Sequence, residues 1–238
     1  MTATPTVDLI VHAKWIIPVV PKNTVFTYCS LVVDKGHIVA IKPRDSVARY
    51  YQATKEQHLS QHVLMPGLIN AHGHAAMSLL RGYADDLPLD TWLNDHIWPA
   101  EAQHVSAEFV KDGAELAIAE MIRSGTTCFS DMYFFPEETA AVAHRTGIRC
   151  QVTFPIFEFP SAWGSGADEY ISKGLALRDN YRSNALINVI FGPHAPYTVG
   201  DDTFTRIATL APEIQSGIHV HLHETHNEVN DAVNASGK

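Results

Sequence analysis

The sequence contains few cysteines, and their scarcity excludes several classes of protein. Of the 238 residues only three are cysteines, at Cys29, Cys128 and Cys150, and no two of them form a C-x-x-C pair. A disulfide framework, or a zinc site built from thiolates, requires more cysteines at closer spacing. This usage indicates a reducing compartment, and we expect a cytoplasmic protein.

The sequence also lacks the features of membrane and nucleic-acid-binding proteins. No apolar run reaches the ~20 residues of a transmembrane helix, and the start of the chain has no basic-then-apolar leader. The formal net charge of −9 argues against nucleic acid and anionic membranes as partners. G-x-G-x-x-G and phosphate-loop motifs are absent, which disfavours a nucleotide-binding fold. The oligomeric state stays open, and a homo-oligomer is one of the alternatives.

With 46% hydrophobic and 18% charged residues, the composition is that of a soluble globular protein, and its pattern changes after residue 62. Before that point we expect strands within residues 7–19, a hairpin turning at Gly36, and a polar connection over residues 43–62. Beyond it, strands and helices alternate, which predicts a parallel sheet. We therefore expect a β-sandwich segment over residues 1–62 and an α/β domain over residues 63–238.

Residues of the second segment supply clear helix boundaries. Ser106 is a predicted N-cap and Gly125 a predicted C-cap of a long helix. Pro136 is expected to begin the next helix and Gly147 to end it.

Two histidines end the first strand of this second segment. His72 and His74 follow an apolar run that contains a Pro-Gly turn, and Gly73 stands between them. Side chains two residues apart on a strand share a face, so both imidazoles point the same way and form half of a metal site. The alternative is two polar histidines at the start of a loop. The apolar strand and the small neighbouring residues favour the metal site.

Further histidines end later strands. His194 follows the fourth strand, and His219, His221 and His223 alternate along a fifth strand predicted over residues 217–222. A doubly wound open sheet would keep such distant strand ends apart, whereas a (β/α)₈ barrel brings all carboxyl ends to one face. We therefore predict an α/β fold of the TIM-barrel type with about five strands present. Spacing alone does not choose among the three histidines of the fifth strand, because zinc usually takes four ligands.

Glu224 follows directly on this histidine run. A carboxylate at a strand end beside a metal can accept a proton from water, which makes it a candidate general base. The alternative is that Glu224 is the first-turn acid of the next helix.

Three stretches together resemble motifs of the amidohydrolase superfamily, in the branch of the 5′-methylthioadenosine/S-adenosylhomocysteine deaminases. They are MPGLINAHGH at residues 65–74, FGPHAPY at residues 191–197 and HLHET at residues 221–225. The resemblance covers nearly the whole chain. It implies a metal-dependent barrel enzyme with a small β-sandwich. Its expected reaction is hydrolytic removal of ammonia from the adenine ring of methylthioadenosine or S-adenosylhomocysteine, with a metal-activated water attacking C6.

The resemblance also implies the metal ligands and the group that moves protons. His72, His74 and His221 are expected to bind one divalent metal per subunit, zinc or another divalent ion. Glu224 is expected to act as general acid and base. His194 stands where two-metal relatives have a carboxylated lysine, so the resemblance is to the single-metal branch.

The substrate contacts implied by the resemblance come from three residues. Trp92 is expected to stack on the purine, Glu101 to bind ribose hydroxyls, and His194 to contact the purine or lie beside the reacting centre. The alternative for Trp92 and Glu101 is a capping loop whose aromatic residues pack on the barrel rim. For Arg81 a solvated loop and a site role are both open, and Asp131 is expected to be structural.

The family pattern continues beyond the features of this sequence. Members of the superfamily have another histidine after the sixth strand and a metal-binding aspartate after the eighth, and neither stands among these 238 residues. We therefore expect either a piece of a longer protein or a remnant, and no deaminase activity and poor solubility for these residues alone. Two other functions stay open: a triazine chlorohydrolase or guanine-type deaminase of the same branch, and a non-catalytic metal-binding remnant.

Overall fold

A computed structural model describes residues 4–237 and divides the chain into two compact units, with the boundary after Gly67. The strands are β1 (Thr6–Ile16), β2 (Phe26–Thr27), β3 (Cys29–Asp34), β4 (His37–Pro43), β5 (Gln52–Leu64), β6 (Leu68–Asn70), β7 (Thr126–Met132), β8 (Arg149–Ile156) and β9 (Ile187–Pro193). The helices are α1 (Arg44–Val47), α2 (Leu89–Thr91), α3 (Trp98–His104), α4 (Ala107–Ser124), α5 (Pro136–Thr146), α6 (Ala167–Tyr181), α7 (Asp201–Glu213) and α8 (His226–Ser236). The predicted mixed α/β character is confirmed.

The first unit is a five-stranded sheet in the order β2-β1-β3-β4, with β5 paired in parallel to β1. The predicted hairpin is confirmed: β3 and β4 pair antiparallel, and Lys35 and Gly36 turn between them with φ of 50° and 76°. Two residues with positive φ are the geometry of a tight hairpin turn, which Gly36 allows without steric cost.

The prediction that residues 43–62 form a polar connection is wrong. Most of it is β5, a strand of 13 residues that lies against β1. Its side chains are mainly polar and exposed, so hydrophobic periodicity gives no strand signal. Backbone hydrogen bonds to β1 make it a strand, and these depend on the neighbouring strand. The strands expected within residues 7–19 are one continuous strand, β1, which runs through the polar residues His12 and Lys14.

The second unit contains a parallel sheet in the order β6-β7-β8-β9, with helices α4, α5 and α6 in the connections. The predicted alternation of strands and helices is confirmed. Phe129, Phe154 and Phe191, one from each of three neighbouring strands, are almost fully buried in the core that the helices cover. Burial of such large apolar side chains is the main favourable contribution to folding.

The predicted fifth strand is only partly formed. Phe191 and Ile218 make a single parallel bridge, and the amide of His219 donates to the carbonyl of Phe191 at 2.9 Å. Residues 217–222 therefore follow the edge of β9 without a continuous ladder. The first predicted strand is also divided: residues 63 and 64 end β5, and β6 begins at Leu68.

Helix boundaries agree well with the predicted caps. Ser106 Oγ accepts the amide of Phe109 at 3.2 Å at the start of α4, and Gly125 ends it with φ of 88°. Gly147, with φ of 79°, ends α5, and Pro136 begins it. These local signals were sufficient because capping depends on residues adjacent in sequence.

The stretch between the first histidine pair and α4 contains two helical segments. A 3₁₀ helix spans Ala75–Leu80, and a continuous helical segment over residues 89–104 consists of α2, a π-helix at Trp92–Ile97, and α3. Pro99 is the second residue of α3, two positions after the end of the π-helix, and has no amide hydrogen to donate to the preceding turn. Widened turns of this kind often lie at functional sites. Within residues 4–237 no helix has both the length and the hydrophobicity needed to cross a membrane.

Candidate active site

The three predicted ligands converge where the loop after β6 meets the segment that follows the edge of β9. One nitrogen from each of His72, His74 and His221 lies within 4.8 Å of the others. Nε2 of His221 is 3.2 Å from Nε2 of His72. Two ligands of a tetrahedral zinc with bonds of about 2.0–2.1 Å are separated by about 3.3 Å, so this spacing fits a shared ion.

Two of these imidazoles are oriented by backbone carbonyls. His74 Nδ1 lies 2.6 Å from the carbonyl of Met132, and His221 Nδ1 lies 2.9 Å from the carbonyl of His194. A carbonyl can only accept, so each Nδ1 carries the proton and each Nε2 keeps a free lone pair. Metal-binding histidines are typically held by such a hydrogen bond on the second nitrogen.

Burial lowers the pKa of two of the clustered histidines. Burial and then repulsion from neighbouring imidazoles lower the pKa of His74 to about 4, against the opposing effect of the Met132 carbonyl. Burial also lowers the pKa of His72, and repulsion from His221 adds to the shift. A neutral imidazole is the form that binds a metal, so no proton has to be displaced near neutral pH.

The structure separates the three histidines that spacing alone could not rank. His219 Nε2 lies 2.9 Å from His72 Nδ1, and its Nδ1 lies 3.2 Å from Ser130 Oγ. His219 therefore contacts the predicted ligand His72 at Nδ1, whereas Nε2 of His72 faces His221. His223 is exposed and has φ of 59°, so the alternation of side chains ends there. His221 is the histidine of this run that joins the cluster.

The end of β7 holds the loop that carries His72 and His74. Asp131 Oδ1 accepts the amide of Ala75 at 2.6 Å, and the amide of Met132 donates to the carbonyl of Gly73 at 3.0 Å. Asp131 is buried, and burial raises its pKa to about 6 although the Ala75 amide acts in the opposite direction. These contacts give Asp131 a structural position, as predicted.

A pocket beside the histidine cluster contains most of the other predicted site residues. Six of the seven predicted site residues line its walls: His74, Trp92, Glu101, His194, His221 and Glu224. The seventh, His72, contacts His221. Residues from the helical segment over residues 89–104 form one wall, which the sequence did not predict as a helix. Arg81 is elsewhere, in an exposed bidentate pair with Glu120 at 3.0 and 2.6 Å, which agrees with the solvated-loop alternative.

Glu224 is held at the mouth of this pocket by two contacts. Tyr197 donates its hydroxyl to Glu224 Oε2 at 2.9 Å. The buried carboxylate of Glu228 accepts the backbone amides of His223 and Glu224 at 2.8 and 2.7 Å. Thr225 Oγ1 in turn accepts the amide of Glu228 at 3.1 Å. Thr225 and Glu228 have the spacing of a capping box, a local sequence signal from which the start of α8 could have been predicted.

Glu101 lies deeper, in a largely apolar part of the pocket. Its Oε1 accepts the hydroxyl of Tyr133 at 2.6 Å. Burial raises the pKa of Glu101 to about 7, and the Tyr133 hydrogen bond only partly offsets this shift. Strongly perturbed carboxyl groups in clefts are frequent at functional sites. The contact with Tyr133, 32 residues away, could not be predicted from local sequence.

His194 connects the pocket to the cluster. Its ring packs on Phe157 with centroids 4.8 Å apart and contacts His221 at 4.9 Å. Its Nδ1 lies 2.8 Å from Thr198 Oγ1. Burial, followed by repulsion from His221 and His74, lowers the pKa of His194 to about 3, so it is a neutral hydrogen-bonding group.

Comparison with known families agrees with this geometry. A model described as the amidohydrolase family matches residues 63–238. The chain belongs to the amidohydrolase family. It is 55% identical over 238 residues to a 5-methylthioadenosine/S-adenosylhomocysteine deaminase of Teredinibacter turnerae, covering 100% of this chain and 54% of that protein. The chain thus spans about half the length of the curated relatives it matches.

Solved structures of amidohydrolases have the same fold as this chain. An adenosine deaminase from Xanthomonas campestris with bound zinc aligns with a TM-score of 0.96 at 43% identity, over 99% of this chain and 54% of that one. An atrazine chlorohydrolase from Arthrobacter aurescens TC1, complexed with zinc, aligns with a TM-score of 0.83 at 16% identity, over 96% and 56%. The second likeness concerns the fold alone.

Proposed function

We propose that this chain carries the proton-transfer group, three metal ligands and the purine-binding wall of a metal-dependent deaminase. The substrate would be the adenine ring of 5′-methylthioadenosine or S-adenosylhomocysteine. The observation that carries the proposal is the presence of Glu224 in one pocket with His74, His221 and Trp92. The names of close relatives support the same substrate class.

The donor set fits a divalent metal, with zinc favoured. Three imidazoles, two of them oriented by backbone carbonyls, are typical ligands for zinc. Bound zinc in the related Xanthomonas campestris structure supports this choice. A divalent metal bound there supplies a Lewis acid and lowers the pKa of water toward neutrality. His72, His74 and His221 would hold it.

Glu224 would move the protons of the reaction. Its carboxylate accepts a proton from the attacking water, and a bond forms between the water oxygen and C6 of the ring. Glu224 then delivers that proton to a ring nitrogen. The proton of the new C6 hydroxyl is next transferred to the amino nitrogen, so that a C6=O bond forms, the bond between C6 and the amino nitrogen breaks, and neutral ammonia leaves. Tyr197 and Glu228 hold Glu224 in position through the side chain and the backbone respectively.

The other residues would bind and orient the nucleoside. Trp92 offers an aromatic face for the purine, and Glu101 offers carboxylate oxygens for ribose hydroxyls. His194, kept neutral by burial, would hydrogen-bond the purine beside the reacting carbon. The apolar lining around Glu101 excludes water and strengthens these polar contacts.

The proposal extends to the architecture and setting of the protein. The parallel sheet of residues 68–237 would be part of a (β/α)₈ barrel, and the first unit one sheet of a β-sandwich. The substrate partner would be a small purine nucleoside. Cys29, Cys128 and Cys150 are all free thiols, which supports a cytoplasmic location. A homo-oligomer is compatible with these assignments.

The test is a substrate screen on the protein produced from its natural reading frame. Methylthioadenosine, S-adenosylhomocysteine, guanine and a chlorotriazine would be supplied separately, with ammonia and chloride measured. We expect ammonia and the inosine analogue from the two adenosine compounds. Chloride release without action on either would favour the chlorohydrolase. No turnover of any substrate by zinc-loaded protein would contradict the proposal.

A further inference from the structure

A second group of metal-ligating side chains lies in the first unit and shares no residue with the site described above. His12 is on β1, and Glu56 and His58 are on β5. The parallel register places His12 directly opposite His58 and Ile10 opposite Glu56. Because Glu56 and His58 are two residues apart on one strand, their side chains share the face on which His12 lies.

The donor atoms of these three residues converge on one point. Glu56 Oε2 lies 3.3 Å from His12 Nε2 and 3.7 Å from His58 Nε2. One ligand atom from each residue lies within 4.8 Å of the other two. Ligands of a tetrahedral zinc are separated by about 3.3 Å, so small side-chain rotations are enough to close the site. His58 is exposed, and its ring, which stacks on that of His12 with centroids 4.5 Å apart, has room to turn on its solvent side.

His12 is the ordered member of the group. Its side chain is only 6% exposed, and its Nδ1 lies 2.7 Å from Oγ of the fully buried Ser30. Ser30 is the register partner of His12 on β3, so the strand pairing itself fixes this contact. The Glu56 carboxylate can only accept, so in this contact His12 Nε2 donates to Glu56 and Nδ1 accepts the Ser30 hydroxyl. A metal on Nε2 would displace that proton, and Nδ1 would then donate to Ser30 Oγ. This is the outer hydrogen bond that orients metal-binding histidines.

We propose that His12, Glu56 and His58 form a second site for a divalent transition metal, with water completing its coordination. Two imidazoles and one carboxylate suit zinc, cobalt or nickel better than magnesium or calcium. The ion would link β1 to β5. Because the side chains of β5 are mainly exposed, an ion would add a cross-strand contact to a strand held chiefly by its backbone. This second site does not depend on the proposed deaminase activity.

The experiment counts and locates the metal, and activity does not enter it. Untagged protein from the natural reading frame would be stripped with a chelator, titrated with zinc, and analysed for bound metal. The wild-type protein should bind two equivalents of zinc. The His58→Ala and Glu56→Gln variants should each bind one equivalent. Both residues are exposed, so these variants should fold. His62→Ala, on an exposed residue of the same strand, is the matched control and should keep two.

Two further measurements make the result decisive. In a zinc-soaked crystal, anomalous scattering should place an ion within bonding distance of His12 Nε2, Glu56 Oε2 and His58 Nε2. Zinc should also raise the melting temperature of His72→Ala/His74→Ala protein, and adding His58→Ala should remove that rise. Equal metal content in wild type and His58→Ala, with no anomalous peak at the cluster, would overturn the proposal and leave an ion pair between Glu56 and the imidazoles.

Discussion

His74 and Met132 are joined by a hydrogen bond of 2.6 Å between Nδ1 and a backbone carbonyl. The contact links the loop after β6 to the last residue of β7, so the neighbouring strand sets the orientation of this imidazole. Asp131, one residue earlier, accepts a hydrogen bond from the amide of Ala75. The end of β7 therefore aligns the loop that carries His72 and His74 through side-chain and main-chain groups together, so we expect metal binding there to depend on the sheet as well as on the histidines.

Removing the two clustered histidines of this loop should remove the metal from the candidate active site. We expect His72→Ala/His74→Ala to lose one equivalent of zinc relative to wild type, because His221 alone cannot hold the ion. Elemental analysis after dialysis measures this loss. His104→Ala, an exposed histidine at the end of α3, is the control and should keep the wild-type content. Equal content in the double variant would place the metal elsewhere.

Glu224 is expected to act on protons and not on the metal. Glu224→Gln should keep the zinc of wild type while kcat falls by roughly 10²–10⁴-fold, the usual range for a lost general base. Tyr197→Phe removes only the hydroxyl that Glu224 accepts at 2.9 Å, so its loss should be smaller. Steady-state kinetics with metal analysis test both. Near-normal turnover in Glu224→Gln would exclude the role.

The buried carboxyl of Glu101 should make the stability of the protein depend on pH. Its pKa is raised from 4.5 to about 7, so the folded protein keeps a proton that the unfolded chain releases. The free energy of unfolding should therefore fall as pH rises through this window, by at most ~1.4 kcal/mol per pH unit, and level off above it.

Glu101→Gln should lose this contribution, since its amide oxygen still accepts from Tyr133 and does not titrate. Urea unfolding from about pH 5 to about pH 8 would compare it with wild type. Glu108→Gln, on an exposed acid of α4, is the control and should follow wild type. Parallel curves for Glu101→Gln and wild type would show that Glu101 is ionised in the folded protein.

Gly113 of α4 should resist substitution because the 3₁₀ helix packs directly on it. A Cβ at this position would lie 2.5 Å from the carbonyl oxygen of Ala76 and 2.7 Å from its Cα. Gly113→Ala should destabilise the protein by about 1–3 kcal/mol, although the same change in an open helix stabilises by ~1 kcal/mol. Thermal unfolding measures the effect, with exposed Asp112→Ala as control. A higher melting temperature would mean that the 3₁₀ helix moves freely.

The sequence alone determined the features that depend on neighbouring residues. Ser106, Gly125 and Gly147 mark helix ends, because caps satisfy backbone groups within one turn. The spacing of His72 and His74 places both imidazoles on one face, because strand side chains alternate. The alternation of strands and helices predicted the parallel sheet, and strand ends in such a sheet meet at one edge.

Tertiary structure alone decided what depends on contacts distant in sequence. His221 joins the cluster rather than His223, because the chain turns at His223 with φ of 59° and ends the alternation. Glu101 meets Tyr133 only when the helical segment packs over β7, and the resulting burial, not the residue type, raises its pKa. Strand β5 forms because β1 offers a parallel partner, since its polar side chains encode no periodic signal. Backbone pairing and desolvation come from the neighbours that folding brings close, and local sequence does not specify them.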